Sequence, residues 1–298
     1  MARSFSLADE YIRVLERMVP DVRNAGAVDD LPDSCFVEDA ISAVPGSAVV
    51  LPVTEARRPE AEALVAASGR MELPWADKMV RLDLPSVQAA AAMSGAARVS
   101  DGTAPPIGTA PRVSVDGGDV LYTGRELLVG IGGRSTAAGA CALAAGHGFR
   151  LPVIAVPLPG LDAGVPFLHL KSVATMICDD VMLAHDSDAG KAVLRTLNEV
   201  REGKSPSLPG AFVIGADTVS ADAPVEKVSG VMVPDMLASN VVRAGSAIMR
   251  VPANKFPASA RIIDAAAASL DLDVYDVDMS ELAKVDGALT CCSVLVFD

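Results

Sequence analysis

Residues 119–156, DVLYTGRELLVGIGGRSTAAGACALAAGHGFRLPVIAV, decide the fold of this 298-residue chain. Two short apolar runs on either side of Gly124-Arg125 predict a β-hairpin. The alanine-rich segment 135–146 predicts a helix, and the apolar run 151–156 predicts a further strand. This stretch therefore predicts a strand–strand–helix–strand unit, written ββαβ below.

The same alternation extends in both directions from this stretch. Helical spacing recurs at residues 8–19, 57–67, 190–200 and 257–270. Short apolar runs predict further strands at 48–53, 168–176, 181–185, 211–215, 230–233, 241–243, 247–251, 274–277 and 294–297. Two or three strands for each helix are too many for a doubly wound sheet, so the pattern favours repeated ββαβ units in one α/β domain. Residues 71–110 fit less well and are interpreted as an insertion, with a helix at 87–97 and a loop at 102–111.

Composition limits the classes of partner. The chain is 51% hydrophobic but only 4% aromatic, so its core is aliphatic and alanine-rich. A formal net charge of −13 disfavours nucleic acid and anionic membrane as partners and suits a small cationic ligand. No apolar run approaches the roughly 18 to 20 residues that span a bilayer, and no signal peptide opens the chain, which predicts a soluble cytoplasmic protein.

Four groups of residues carry chemistry. The thiols Cys291 and Cys292 lie between a turn and the last apolar run. Adjacent carboxylates at Glu38-Asp39 suit a guanidinium or a metal, although for this pair taken alone an exposed acidic strand end is the favoured interpretation. Asp116 precedes two glycines that would let the backbone approach a ligand, or it starts a plain turn.

The fourth is His169, which stands in an apolar alternating run where a neutral structural histidine is the ordinary expectation. A metal site could be built from His169, Asp116 and Cys291. These residues lack the i, i+2 or i, i+4 spacing of zinc enzymes, so catalysis without a metal is favoured.

Five motifs in a fixed order closely resemble the dimethylarginine dimethylaminohydrolase family. They are residues 31–39 (LPDSCFVED), 116–126 (DGGDVLYTGRE), 168–172 (LHLKS), 233–240 (VPDMLASN) and 279–295 (MSELAKVDGALTCCSVL). The resemblance covers roughly residues 7–298 and is interrupted by two segments interpreted as insertions, near 71–110 and near 202–228. It implies a single catalytic domain over residues 1–298, with a pentein-type α/β propeller fold of repeated ββαβ units.

The resemblance also implies an activity and roles for residues. The activity is hydrolysis of Nω-methylated arginines to citrulline and a methylamine through a covalent cysteine intermediate, without a cofactor. The implied nucleophile is Cys291, the implied acid and base is His169, and the implied group orienting it is Asp116. The implied substrate-binding residues are Asp33, Glu38, Asp39, Arg57, Arg134, Ser172, the carbonyl of Val285, and Asp286. Cys292 is interpreted as structural, because a neighbour in a strand would point to the opposite face.

Two features leave alternatives open. The family begins with an extra strand before the helix matched here by residues 7–18, so the first unit is expected to be truncated; association into a homodimer would cover the unpaired edges. The alternatives to a methylarginine hydrolase are an arginine deiminase or amidinotransferase, and a catalytically impaired arginine-binding member. Lys171 argues against a deiminase, in which an acid follows the histidine by two residues.

Overall fold

The computed structural model of the chain describes residues 2–26, 28–53, 57–82, 113–158, 169–215 and 226–297. Within these ranges the helices are α1 Ala2–Met18, α2 Arg58–Arg70, α3 Ala137–Gly146, α4 Asp188–Arg201 and α5 Pro257–Ser269. The strands are β1 Ile41–Val44, β2 Ser47–Val50, β3 Val80–Arg81, β4 Val120–Tyr122, β5 Leu127–Ile131, β6 Val153–Pro157, β7 Ala174–Cys178, β8 Val181–His185, β9 Phe212–Ile214, β10 Ser229–Val233, β11 Val242–Ala244, β12 Ala247–Arg250 and β13 Asp273–Asp276. The helix and loop predicted within 83–112 lie outside the described residues.

Four sheets follow the same plan. Their strand orders are β1-β2-β3, β4-β5-β6-β9, β7-β8-β10 and β11-β12-β13. In each sheet the first two strands form an antiparallel hairpin, and a strand that follows a helix pairs parallel to the second. A parallel partner requires a crossover connection, which the helix supplies. The ββαβ unit predicted from the sequence is therefore present four times in the described part of the chain.

A short 3₁₀ helix precedes the hairpin of every unit, and a fifth lies near residue 291. We call these five segments the first to fifth turns: Val37–Ala40, Gly117–Asp119, Leu170–Ser172, Met236–Ser239 and Thr290–Cys292. The first turn packs against the second and the fifth, the second against the third, and the third against the fourth. Hydrogen bonds between Asn240 and Thr290 join the fourth to the fifth. The five turns thus form a closed ring, named the 3₁₀ ring below.

Several local predictions were wrong. His169 is not inside a strand; it immediately precedes the third turn, and β7 begins at Ala174. No strand is assigned to residues 294–297, and β1 was not predicted. A turn of three or four residues has too few positions to show a period, so the third turn was included in a predicted strand.

Both segments interpreted as insertions contribute strands to the sheets. Val80 and Arg81 pair with β2 and complete the first sheet, and Trp75 just before them is 2% exposed. β9 pairs antiparallel with β6 at the edge of the second sheet. The described ends of these segments are therefore integral to the sheets.

Helix α1 packs against the fourth sheet. Its apolar stripe of Tyr11, Val14, Leu15 and Met18 is buried against residues of β11 and β12. The Tyr11 hydroxyl lies 2.8 Å from the Leu289 carbonyl and 2.9 Å from the Ser293 hydroxyl. Because a phenol has a single proton, it donates to the carbonyl and accepts from the serine. The helix thereby braces the fifth turn from both sides. No described helix is both long enough and apolar enough to cross a membrane.

Candidate active site

The fifth turn carries Cys291 in a half-buried position. Burial raises the pKa of its thiol to about 12, and the nearby Glu38 carboxylate adds to the increase. A hydrogen bond from the Ala288 backbone and the charge of Lys171 act in the opposite direction. At neutral pH the unliganded site therefore holds a neutral thiol, which needs an added positive charge to ionise.

Glu38 lies in the first turn and is 8% exposed. One carboxylate oxygen forms an ion pair with the Lys171 ammonium, and the other accepts a hydrogen bond of 2.9 Å from the Thr290 hydroxyl. Burial raises the pKa of Glu38, although Lys171 and Thr290 offset part of the increase. The buried carboxylate is thus matched by one cation and one hydroxyl from the chain itself.

Asp39 is also buried and is bound by a guanidinium. Arg57 donates to the Asp39 carboxylate over 2.6 Å and to the Glu60 carboxylate over 2.7 Å. It also donates to the Asp33 carbonyl over 3.2 Å, and its Nε lies 3.7 Å from the Asp33 carboxylate. Burial raises the pKa of Asp39, and the neighbouring Asp116 raises it further. A guanidinium is therefore the cation that these acids hold in the free protein.

His169 and Asp116 form the imidazole–carboxylate pair of the site. Their Nε2 and Oδ1 atoms are 3.2 Å apart, but the N–H direction does not meet hydrogen-bond geometry, so the contact is an ion pair. Burial alone would raise the pKa of Asp116, but His169 and the Gly118 N–H lower it to about 2. Burial would lower the pKa of His169, yet Asp116 and then Asp119 raise it overall. The pair thus favours the imidazolium form.

Gly118 and Asp119 position this pair. A Cβ atom at Gly118 would lie 2.6 Å from the His169 Cγ, so only glycine fits beside the ring. Asp119 accepts hydrogen bonds from the Ser135 hydroxyl at 2.7 Å and the Leu170 N–H at 3.0 Å. Burial raises the pKa of Asp119 to about 6. Through its bond to Leu170, Asp119 joins the second turn to the start of the third, directly after His169.

The remaining predicted residues lie around this group. Ser172 ends the third turn and accepts a hydrogen bond of 3.0 Å from Ser239 at its carbonyl. Arg134 lies 3.5 Å from the Asp116 carboxylate, with 51% of its side chain exposed. Val285 is 61% exposed, and Asp286 is exposed with a left-handed φ of 60°. The structure therefore brings together the acids, His169 and Cys291, and leaves residues 285–286 on an outer turn.

Cys292 does not share the environment of Cys291. It is half-buried and packs against the apolar cluster formed by α1 with β11 and β12. Burial raises the pKa of its thiol well above the usual range of a cysteine.

Three residues of the site were missed from the sequence: Lys171, Asn240 and Thr290. Lys171 is 9% exposed, and a lysine within an apolar run was the available signal, because buried lysines need a partner. Asn240 and Thr290 gave no such signal. In the described ranges, no three His, Cys, Asp or Glu side chains are grouped so that they could hold a metal ion.

The fold and these side chains define a class: an α/β enzyme with a half-buried thiol, an imidazole–carboxylate pair and further buried acids around one ring of turns. A family model described as arginine deiminase matches residues 105–230. An N(G),N(G)-dimethylarginine dimethylaminohydrolase from Streptomyces coelicolor is 30% identical over 290 residues, which are 96% of this chain and 83% of the relative. The chain therefore belongs to the dimethylarginine dimethylaminohydrolase family, and it is a hydrolase.

Solved structures share the fold. The dimethylarginine dimethylaminohydrolase from Pseudomonas aeruginosa, as a cysteine-to-serine variant complexed with citrulline, gives a TM-score of 0.62 at 20% identity, over 98% of this chain and 87% of that one. The N-terminal domain of a cyanobacterial arginine dihydrolase bound to its product gives 0.64 at 16% identity, over 100% and 87%. At these identities the likeness shows a common mixed α/β fold.

Proposed function

We propose that the protein hydrolyses Nω-methylated arginines, asymmetric dimethylarginine and monomethylarginine, to citrulline and a methylamine. The observation that carries the proposal is the contact of Arg57 with Asp39. In it an acid of the first turn binds a guanidinium, and the first turn packs against the fifth, which holds Cys291. Family membership supports the same chemistry. A substrate guanidinium would add charge-assisted hydrogen bonds to Glu38 and Asp39 beside those from Lys171, Thr290 and Arg57.

The rest of the substrate would be held by the outer residues. Arg57 and Arg134 would pair with the α-carboxylate, since an arginine fork matches a carboxylate in geometry. Asp286 would join Glu38 and Asp39 around the guanidinium, with Asp33 nearby. The Val285 carbonyl would accept from the α-amine, and Ser172 would line the pocket. Because residues 285–286 are exposed in the free protein, their turn would move inward when the substrate binds.

The reaction would begin when the Cys291 thiol loses its proton to water. A guanidinium next to Cys291 offsets the two causes that raise the thiol pKa, burial and Glu38, and so favours the thiolate. The sulfur then attacks the guanidinium carbon and forms an S–C bond. The C–N bond to the methylamine breaks as His169, in its imidazolium form, donates a proton to the leaving nitrogen. An S-alkylthiouronium intermediate remains on the enzyme.

The second half would regenerate the thiol. His169, now neutral, accepts a proton from water, and the hydroxide attacks the same carbon. Collapse of this adduct breaks the S–C bond and forms the carbonyl of citrulline, and the hydroxyl proton passes to the departing sulfur, which restores the thiol. Asp116 stabilises the imidazolium through both steps. No group beyond the chain, the substrate and water is required.

The proposal extends to the architecture. Four ββαβ units and five turns in one closed ring support a single catalytic domain built as an α/β propeller of five units, with the fifth turn heading the fifth unit. The active site would then lie at the centre of the ring. The first, third and fifth turns would each contribute a residue that touches substrate.

Arginine itself is the second candidate substrate. The match of residues 105–230 to the arginine deiminase model and the fold of the arginine dihydrolase favour it. Lys171 opposes it, because its ammonium occupies one oxygen of Glu38 and an unmethylated guanidinium has more N–H donors to satisfy than a dimethylated one. A chain that binds arginine without turning it over is the third outcome to distinguish.

An assay of citrulline formation distinguishes these three candidate functions. The protein is incubated separately with asymmetric dimethylarginine, monomethylarginine and arginine. We expect citrulline from the two methylated substrates, none after Cys291→Ser, and wild-type rates after the matched Cys292→Ser. Citrulline from arginine alone would replace the proposal with a deiminase, and tight binding without citrulline would indicate an impaired member. Peptide mass analysis after treatment with a thiol-directed amidine should find the label on Cys291.

A further inference from the structure

A closed circuit of hydrogen bonds joins four of the five turns. Lys171 pairs with one oxygen of Glu38, and the Thr290 hydroxyl lies 2.9 Å from the other. Asn240, immediately after the fourth turn, is 2.9 Å from the Lys171 carbonyl and 3.1 Å from the Thr290 hydroxyl. We call these four residues, all at most 9% exposed, the Glu38 circuit.

The partners of Asn240 fix its orientation. Its amide nitrogen faces the Lys171 carbonyl, which can only accept, and its amide oxygen lies 3.1 Å from the Thr290 N–H, which can only donate. Rotating the amide by 180° would break both contacts. The amide therefore donates to the Thr290 hydroxyl as well, and that hydroxyl must direct its own proton to the Glu38 carboxylate.

The circuit places constraints on both reacting partners. Asn240 holds the backbone N–H of the residue directly before Cys291, which fixes the start of the fifth turn. Through Thr290 it also orients the carboxylate proposed to hold the guanidinium. We infer that Asn240 and Thr290 are positioning residues that set the distance between the nucleophile and the substrate carbon. This role rests on the proposed function.

The hydroxyl of Thr290 also supports the ionised form of Glu38. The charged or titratable groups that face Glu38 come from its own turn, the third turn, the fifth turn and α1: Asp39, Lys171, Cys291, Cys292 and Tyr11. Only Lys171 among them is a cation, and it pairs with one oxygen of Glu38. Loss of the Thr290 hydroxyl therefore leaves the other oxygen without its donor.

Two variants of Thr290 distinguish a positioning role of its hydroxyl from a general effect on folding. Thr290→Val keeps the shape and removes the hydroxyl, whereas Thr290→Ser keeps the hydroxyl and loses a methyl group. Thr196→Val is the matched control, since Thr196 in α4 is fully buried and its hydroxyl has no hydrogen-bond partner among the described residues. Asn240→Leu removes the whole connection, and Thr290→Val keeps the test decisive if that variant does not fold.

The expected results differ between the variants. For asymmetric dimethylarginine, Thr290→Val should lower kcat/KM about tenfold or more, the loss typical of a charge-assisted hydrogen bond. The acid limb of its pH profile should move to higher pH, because Glu38 would accept a proton more readily. Thr290→Ser should restore both to near wild type, and Thr196→Val should change neither. An unchanged acid limb and kcat/KM in Thr290→Val, or equal damage by the serine and valine variants, would overturn the inference.

Failure of the proposed function would be recognised separately. If the wild-type protein makes no citrulline from methylated arginines, the proposed reaction is wrong, but calorimetric binding of L-arginine still reports on Glu38. The circuit then predicts weaker arginine binding by Thr290→Val and recovery by Thr290→Ser. Equal binding by all three proteins would exclude the positioning role.

Discussion

Replacing Lys171 with methionine should destabilise the protein at neutral pH. The change keeps the length of the side chain and removes the ammonium that pairs with Glu38. The two side chains are 11% and 10% exposed, so water screens the remaining carboxylate poorly. Removing one partner of such a pair costs about 3 to 5 kcal/mol, and we expect about 3 because Thr290 still donates to the carboxylate.

The pH dependence follows from the direction of the Glu38 pKa. Burial already raises the pKa of Glu38 in the folded state, and loss of Lys171 would raise it further. The folded variant then binds a proton that the unfolded chain releases, so its unfolding free energy falls as pH rises from the unfolded pKa towards the folded one. The deficit relative to wild type should therefore be largest near pH 7 and shrink on acidification.

Urea unfolding at neutral and acidic pH measures the deficit. Arg81→Met is the control, since the Arg81–Glu62 pair is about half exposed and should contribute no more than about 1 kcal/mol. Adding Glu38→Gln to Lys171→Met should recover much of the lost stability, because no unpaired charge remains. Equal urea midpoints for Lys171→Met and wild type at pH 7, or a deficit that does not shrink at acid pH, would refute the reasoning.

Three further outcomes follow from the site. Asp116→Asn removes the charge that raises the pKa of His169, so the alkaline limb of the kcat/KM profile should move to lower pH; an unmoved limb would assign it to another group. Gly118→Ala places a Cβ against the His169 ring and should cost about 1 to 3 kcal/mol of stability together with most of the turnover, as unfolding and citrulline assays would show. Tyr11→Phe removes the donor to Leu289 and should lower stability by about 1 kcal/mol and kcat severalfold, whereas unchanged kinetics would mean that α1 does not steady the fifth turn.

The sequence predicted the elements whose period is long enough to read. The hairpin around Gly124-Arg125 and helix α5 were placed to within one or two residues, because alternation and helical spacing are local patterns. The turns escaped prediction, although they carry the chemistry. Their identity depends on packing against one another across the ring, which no local window contains.

The sequence predicted which residues belong to the site, but it did not predict which of them pair with one another. The motifs indicated Glu38, Asp39, Asp116, His169 and Cys291, and the structure brings all five to adjacent turns. The motifs did not indicate that Lys171 would neutralise Glu38 or that Arg57 would bind Asp39. Such pairings join positions 133 and 18 residues apart, and only the tertiary fold determines them.

The contact of Tyr11 with residues 289 and 293 has a consequence for biosynthesis. The partners are separated by 278 and 282 positions, so the nucleophile cannot be seated until nearly 300 residues have been made. Contacts so distant in sequence form late, after the chain entropy of closing the ring has been overcome. Nascent chains should therefore contain folded sheets and no activity, and the reactive thiol is assembled as one of the last steps of folding.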